Sequence, residues 1–494
     1  MPDHTTSNAR RQVGVLAVLG IGSRVASQSM TLILLLLAGR FLSVEIFGMF
    51  VLGSILMNLA DMQMYSGIYH YVMKEPEFKS SRNSAFSLQV LYGLVFSILI
   101  FLAAWITHLA NWGDFLALLI ASTAMMPLVA MIASWQEAKV LRDGDVKYYY
   151  TCLLISEICG FVVGVAMLLY GYGVWSLIAN KYIAALIVSV ALTLKAGLPP
   201  KFGWDEKHVR SIIDYCLALY GSSFLTFVSA YGAAIVLGGF LSAKAVGLFR
   251  MGSRTAGAAL DVFAQTFRVL AWQAVGRMAR EKRLSPELWT RMVALNLSIM
   301  SFALGSMSIL AEPLTKVLLG DEWLPMVPVL QVICLVNVLA SVDQIGAAQL
   351  AAVGETRFLF RARVIQVITL LASLLVTVQF GIVAVAIGLF PPAIVYLVLL
   401  LRKLVRHTET DFKTFGAAVA PGLLVSGCAL LVVYILSVLL IQESALISIP
   451  VIAAIGLAVY IGIAFLPLRS WTLASLHMVS TAVLPRQTES ASDA

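Results

Sequence analysis

Long apolar runs, each bounded by a short charged or Gly/Pro-rich break, repeat from one end of this chain to the other. A run of about 20 apolar residues matches a helix crossing a hydrocarbon core of ~30 Å. The breaks predict fourteen such helices, at about 13–38, 47–70, 85–107, 114–136, 148–170, 174–194, 212–239, 245–273, 289–311, 326–350, 362–379, 382–401, 414–440 and 447–467. The first run is too long for a signal-peptide core and lacks a small-residue cleavage site, so it reads as a retained span. The expected class is an all-α polytopic membrane protein.

Polar positions carry a second pattern. Twenty-six lysines and arginines fall in alternate segments, beginning with Arg10 and Arg11 and ending with Arg469 and Arg486, while the intervening loops hold only Arg40, Lys244, Arg250 and Lys316. By the positive-inside rule this places both termini in the cytoplasm. It also tests the helix count, since one missing span would scramble the alternation downstream.

The chain repeats itself. FLSVEIFGMFVLGS (Phe41–Ser54) returns 199 residues later as FLSAKAVGLFRMGS (Phe240–Ser253), with seven of fourteen positions identical. A second echo links AKVLRDGDVK (Ala138–Lys147) to AQLAAVGETR (Ala348–Arg357), each after the fourth span of its half. The expected organisation has a cytoplasmic tail (1–12), an N-lobe of six helices (13–195) and a linker (196–211). A C-lobe of six helices (212–403), two additional helices (414–467) and a cytoplasmic tail (468–494) follow. Parallel repeats of this kind are a transporter design, with the substrate path between the halves.

Composition agrees: 60% of residues are hydrophobic, 12% are charged, and the mean hydropathy is +0.92. The net charge of +8 follows from the orientation signal and needs no nucleic-acid partner. The five cysteines (Cys152, Cys159, Cys216, Cys334 and Cys428) lie in apolar stretches without metal-ligand spacing and read as small core residues. No nucleotide-binding loop, zinc motif or nucleophile elbow is present, which argues against an enzyme and leaves no cofactor implied.

Ionised groups at membrane depth are costly and are candidates for function. They are Arg24 in helix 1, Asp61 in helix 2, Glu157 in helix 5, Lys181 in helix 6 and Asp343 in helix 10. In helix 8, Arg250, Arg254, Asp261, Gln265 and Arg268 fall within an arc of roughly 60° at 100° per residue, forming a net cationic stripe. Arginine's planar fork suits phosphate and carboxylate oxygens. Plainer readings stand beside this one: Arg254 and Asp261 neutralising each other, Arg268 and Lys181 reaching the membrane surface, or Glu157 and Asp343 as satisfied bundle polar groups.

On A-G-R-F-L-S-V-E-I-F-G (Ala38–Gly48), G-L-F-R-M-G-S (Gly247–Ser253), L-L-G-D-E-W-L-P-M-V-P-V-L-Q-V (Leu318–Val332) and A-A-V-G-E-T-R (Ala351–Arg357), the chain resembles the polysaccharide-exporting flippases. Their superfamily includes the multidrug-and-toxin extruders and the lipid-linked peptidoglycan-precursor flippase. The resemblance spans about 12–470. It implies two lobes rocking around a cleft and movement of an undecaprenyl-diphosphate-linked oligosaccharide across a bacterial inner membrane. It further implies Arg24, Arg250, Arg254 and Arg268 as substrate-facing cations, with Asp61 and Asp261 as partner or proton carboxylates. From membrane depth alone, Lys181 joins the candidate cations, and Glu157 and Asp343 join the candidate ion-coupling or partner carboxylates. The implied partners are the lipid-linked substrate, membrane lipids and the polymerase and chain-length machinery of surface polysaccharide. The alternatives are an ion-coupled multidrug antiporter, a peptidoglycan-precursor flippase and a non-transporting scaffold of a polysaccharide synthase.

Overall fold

In lipid every backbone N–H and C=O needs an internal partner, which leaves a chain of apolar runs only the helix. The computed structural model describes residues 4–76, 78–258, 286–408, 412–440, 445–466 and 468–475. Every regular element among them is helical. The first are α1 (His4–Phe41), α2 (Val44–Gly53), α3 (Ile55–Met64), α4 (Gly67–Lys74), α5 (Phe78–Leu109), α6 (Asp114–Thr123), α7 (Met126–Arg142), α8 (Val146–Leu169), α9 (Trp175–Ala196) and α10 (Glu206–Phe240). A helix over 243–258, here α11, follows. The rest are α12 (Pro286–Ile309), α13 (Ala311–Leu318), α14 (Val327–Ala352), α15 (Thr356–Thr377), α16 (Ile382–Ile387), α17 (Phe390–Thr408), α18 (Phe412–Leu440) and α19 (Ala445–Phe465).

Among the described residues, eleven helical stretches are long and apolar enough to cross a membrane, and α2 with α3–α4 passes the same test only when the two pieces, bent by 41°, are taken together. The first expected span is seen as Val25–Phe41, the described apolar part of α1. The eighth is seen only as α11. Three spans differ from expectation. The stretch at 47–70 is broken at Ser54 and again at Tyr65–Ser66. The stretch at 114–136 is split at Ala124–Met125 and continues to Arg142. The stretch at 382–401 is split between α16 and α17. At the first break, the Ser54 hydroxyl bonds the Val51 carbonyl at 3.0 Å. Such back-bonding competes with the helical ladder and bends it. Helix α1 also begins at His4, inside the expected tail.

The chain forms two compact units, Met1–Arg250 and Met251–Ala494. In the first, Trp135 is buried with Ile68, Tyr71, Phe86, Ile212 and Cys216, so α10 belongs to that core although the sequence repeat assigns it to the second half. In the second, Trp289 is buried with Val342, Ile345, Tyr396 and Leu400. Outward faces are apolar, as on α5, where Ile98 and Trp105 are 63% and 62% exposed; lipid is their natural solvent. Of the cysteines, Cys152, Cys216 and Cys334 are buried, whereas Cys428 is exposed rather than in the core.

Both sequence echoes become repeated structure. Ser43 and Ser242 each cap the helix that follows, accepting from Ile46 N at 3.4 Å and Ala245 N at 3.2 Å. The two copies then pack on each other. A Cβ on Gly48 would collide with the Ala243 carbonyl, and one on Gly247 with the carbonyl of Val44, the equivalent residue. Only glycine permits backbones to approach this closely. In the second echo, Gly144 and Gly354 adopt φ of +86° and +84°. Asp145 N donates to Val140 O at 3.1 Å, and Glu355 N donates to Leu350 O at 2.9 Å. A helix C-terminus closed by glycine in the left-handed region leaves its last carbonyls satisfied. The acid after each glycine pairs with a lysine from the helix 6 position of its own half: Asp145 with Lys195 at 3.3 Å and Glu355 with Lys403 at 2.9 Å. Those ammonium groups also lie over Tyr148 and Phe358, at 5.8 and 5.5 Å. A third pair, Gly171 and Gly381, turns at φ of +84° and +91°.

Candidate functional site

In the first unit, three of the intramembrane charges are brought together. Asp61 on α3 lies in the electrostatic field of both Lys181 on α9 and Glu157 on α8. Asp61 and Lys181 are exposed and Glu157 is half-buried. The α8–α9 pair is drawn close by Gly160 and Gly164, where any Cβ would crowd Asn180, the neighbour of Lys181. Two carboxylates with one ammonium leave this cluster one negative charge when all are ionised, and a mobile cation or a proton would balance it.

A polar line runs on from Asp61 that the sequence reading missed. Tyr65 lies within the fields of Asp61 and Glu137. Its ring packs on Tyr69 at 5.7 Å between centroids, and the Tyr69 hydroxyl donates to Glu137 Oε1 at 2.8 Å. Glu137 is 8% exposed, and a carboxylate that deep needs such a donor. In the sequence it sits beside Lys139 and looks like an ordinary helix-end charge. The tyrosines at 65 and 69, one turn apart, were the available signal.

In the second unit, Asp343 on α14 is buried, and its Oδ1 has no hydrogen-bond partner among the described residues. The nearby charge is Arg363 on α15. Arg363 donates to Gln366 Oε1 at 2.6 Å and lies 4.7 Å above the Tyr396 ring of α17. Sequence reasoning counted Arg363 as a loop cation, so this pairing is tertiary information.

The helix 8 stripe is described only at its start. The Arg250 guanidinium donates to Ala230 O at 3.1 Å and lies 4.4 Å above the Tyr231 ring. That ring stacks on Phe227 at 5.0 Å. Arg250 is therefore held against α10, at the end of an aromatic ladder. Arg254, one turn on, is half-buried. The side chain of Arg24, together with Asp261, Gln265 and Arg268, lies outside the described residues. Among the described residues no group of His, Cys, Asp or Glu is arranged to hold a metal ion.

The chain that carries these charges is similar to known proteins in sequence and in fold. A region of 210 residues, 42% of this chain, is 25% identical to the succinoglycan biosynthesis transport protein ExoT of Rhizobium meliloti (strain 1021), and it spans 42% of that relative's length. The fold is similar to that of the lipid II flippase MurJ in an inward closed conformation, with a TM-score of 0.76 at 13% identity, covering 92% of this chain and 99% of that one. It is also similar to an inward-facing multidrug resistance transporter of the MATE family, with a TM-score of 0.59 at 12% identity, covering 78% of this chain and 96% of the other. At such identities the likeness is one of fold. Residues 36–328, more than half of the sequence and including both copies of the repeated phrase, match the family described as polysaccharide biosynthesis protein, and the chain belongs to that family.

Proposed function

We propose that this protein flips a polyprenyl-diphosphate-linked oligosaccharide from the inner to the outer leaflet of a bacterial inner membrane, for assembly of a surface polysaccharide. Family membership over residues 36–328 carries the reading; the fold shared with a lipid II flippase supports it. Arg24, Arg254 and Arg268 are the proposed cations for the diphosphate, with Arg250 at the outer end of the stripe. Arginine forks hold phosphate oxygens through paired charge-assisted hydrogen bonds. Transport would proceed by alternating access, with both termini cytoplasmic and a polymerase receiving the product.

Coupling to an ion is the second element of the proposal. Asp61 with Glu157 in one unit, and Asp343 in the other, are the carboxylates that would take up and release it. Lys181 and Arg363 are the cations that compete with that ion. The excess of cations on the helix 8 stripe favours an anionic substrate over the cationic drugs of the antiporter alternative.

The test is to replace Arg24 and Arg254 by Ala in the native host, verify membrane levels, and measure surface polysaccharide. Loss of export with accumulation of the lipid-linked precursor is expected. Full export by both variants would remove the cleft-cation mechanism, and full export by both variants with loss in a deletion strain would leave the scaffold alternative.

A further inference from the structure

Loops that the positive-inside rule assigns to the cytoplasm enclose a cavity of about 850 Å³ in the first unit, lined by residues of the α4–α5 turn, α7 and the segment after α9. Four of its lining residues are cations, Arg82, Lys139, Arg142 and Lys201, against one carboxylate, Asp143. The described lining therefore carries a net charge of +3. Among the described residues, none of the four forms an ion pair.

Two of the cations are already fixed in place. Arg142 donates to Val72 O at 2.6 Å and lies 4.9 Å over the Phe78 ring. Lys139 donates to Ala196 O at the end of α9. Cations near helix C-termini offset the negative end of the helix dipole, which accounts for their positions. It does not account for the other two. Arg82 lies just past the first turn of α5, far from the helix C-terminus that a cation would offset. Lys201 is on an extended segment with no helix end to balance. Both are exposed, and nothing in orientation alone requires them to meet the fixed pair. Trp135, Pro199 and Pro200 make the walls stiff, so little order is lost on binding.

We infer that this cavity is a binding site for a phosphate-bearing anion at the cytoplasmic face, separate from the proposed transport path. Lys139 and Arg142 form its preset base, and Arg82 and Lys201 close on the ligand. The chemistry fits either the headgroup of an acidic phospholipid of the inner leaflet or a soluble diphosphate. An anion here would offset the four converging cations and the positive end of α5 together.

The experiment uses the full-length protein in nanodiscs. Native mass spectrometry compares retention of phosphatidylglycerol against phosphatidylcholine, and thermal melting is followed against inorganic pyrophosphate in phosphatidylcholine discs. Retention of phosphatidylglycerol alone identifies the lipid source, and saturable stabilisation by pyrophosphate alone identifies the soluble one. Either response should weaken about tenfold or more in R82Q/K201Q and strengthen several-fold in D143N, which removes the one carboxylate in the described lining. The gain in D143N separates site chemistry from misfolding. Neither probe binding the wild type, or wild type, R82Q/K201Q and D143N responding alike, would overturn the site. Export measured on the same variants reads the transport proposal independently.

Discussion

The turn at Gly144 and the turn at Gly354 are built alike and dressed differently. Each ends a helix with a left-handed glycine, closes it with the same backbone hydrogen bonds, and ties the following acid to a lysine lying over an aromatic ring. Around the first stand Lys139 and Arg142; the matching positions around the second are Gln349 and Ala352. What both copies keep is what reversing a chain between two spans requires. What only the first copy has is not needed for that reversal: its two cations lie at the negative end of α7 and also line a cavity. The repeated phrase divides in the same way. Gly48 and Gly247 are common to both copies because each backbone packs on the other, while Val51 in one becomes Arg250 in the other.

The largest effect is expected at the repeated phrase. Gly48→Ala and Gly247→Ala each place a methyl against a backbone carbonyl that cannot rotate away. Each should cost about 3 kcal/mol through overpacking, read as a loss of monodisperse protein in detergent and a fall in melting temperature. Native melting in both would dissolve the reciprocal contact. At the two glycine turns, Gly144→Ala and Gly354→Ala should each cost about 1–2 kcal/mol, the penalty of an L-residue in the left-handed region. Similar losses from the two are the expected result, and a large difference in thermal or denaturant unfolding would show that the turns are not equivalent.

The acid–lysine pairs sharpen the comparison. Lys403 and Glu355 are 29% and 28% exposed, whereas Lys195 and Asp145 are 45% and 43% exposed. Glu355→Gln should therefore cost about 1 kcal/mol and Asp145→Asn less than about 0.5 kcal/mol, because solvent screens the more open pair. Raising the salt concentration should shrink the second difference first.

The smallest effect concerns the cap that begins α10. Asp205 begins α10 and accepts from Lys207 N at 3.0 Å. That bond, and then the hydrogen bond to His208, holds its carboxyl below the usual carboxylate value. With the folded pKa lowered, the contribution is present above the unfolded pKa of about 3.9 and is lost as pH falls through the folded value. Asp205→Asn keeps a good cap, so stability at pH 7 should be unchanged while the acid side of the profile flattens below about pH 4. The matching position 199 residues earlier is Thr6, which has no such titration.

Much of the helix plan can be read in the sequence because the length of an apolar run and the thickness of a bilayer are the same physical quantity. The breaks inside spans could not be read. Ser54 and Tyr65–Ser66 interrupt a run whose hydropathy is continuous, and the break depends on local hydroxyl bonding and on packing, as where Gly67 admits the Tyr220 ring. Asp61, Glu157, Lys181 and Asp343 stood out singly as charges at membrane depth. Their partners did not: Lys181 near Asp61 comes from a helix remote in the chain, and Arg363 near Asp343 and Tyr231 beneath Arg250 come from adjoining helices whose facing positions packing alone selects. Glu137 escaped notice because a helix-end carboxylate and a buried one have the same spelling.

By itself, then, the sequence determined that this is a helical membrane protein, which way its loops are expected to face, and that one phrase and one turn are written twice. Periodicity, hydropathy and charge bias are local, and each follows from the contrast between water and lipid. Tertiary structure alone decided that the two phrases meet glycine to glycine, that the doubled turns share their acid–lysine–aromatic lock, and that four orienting cations converge on one cavity. Those facts depend on the distance between residues remote along the chain, which packing sets and no local pattern encodes.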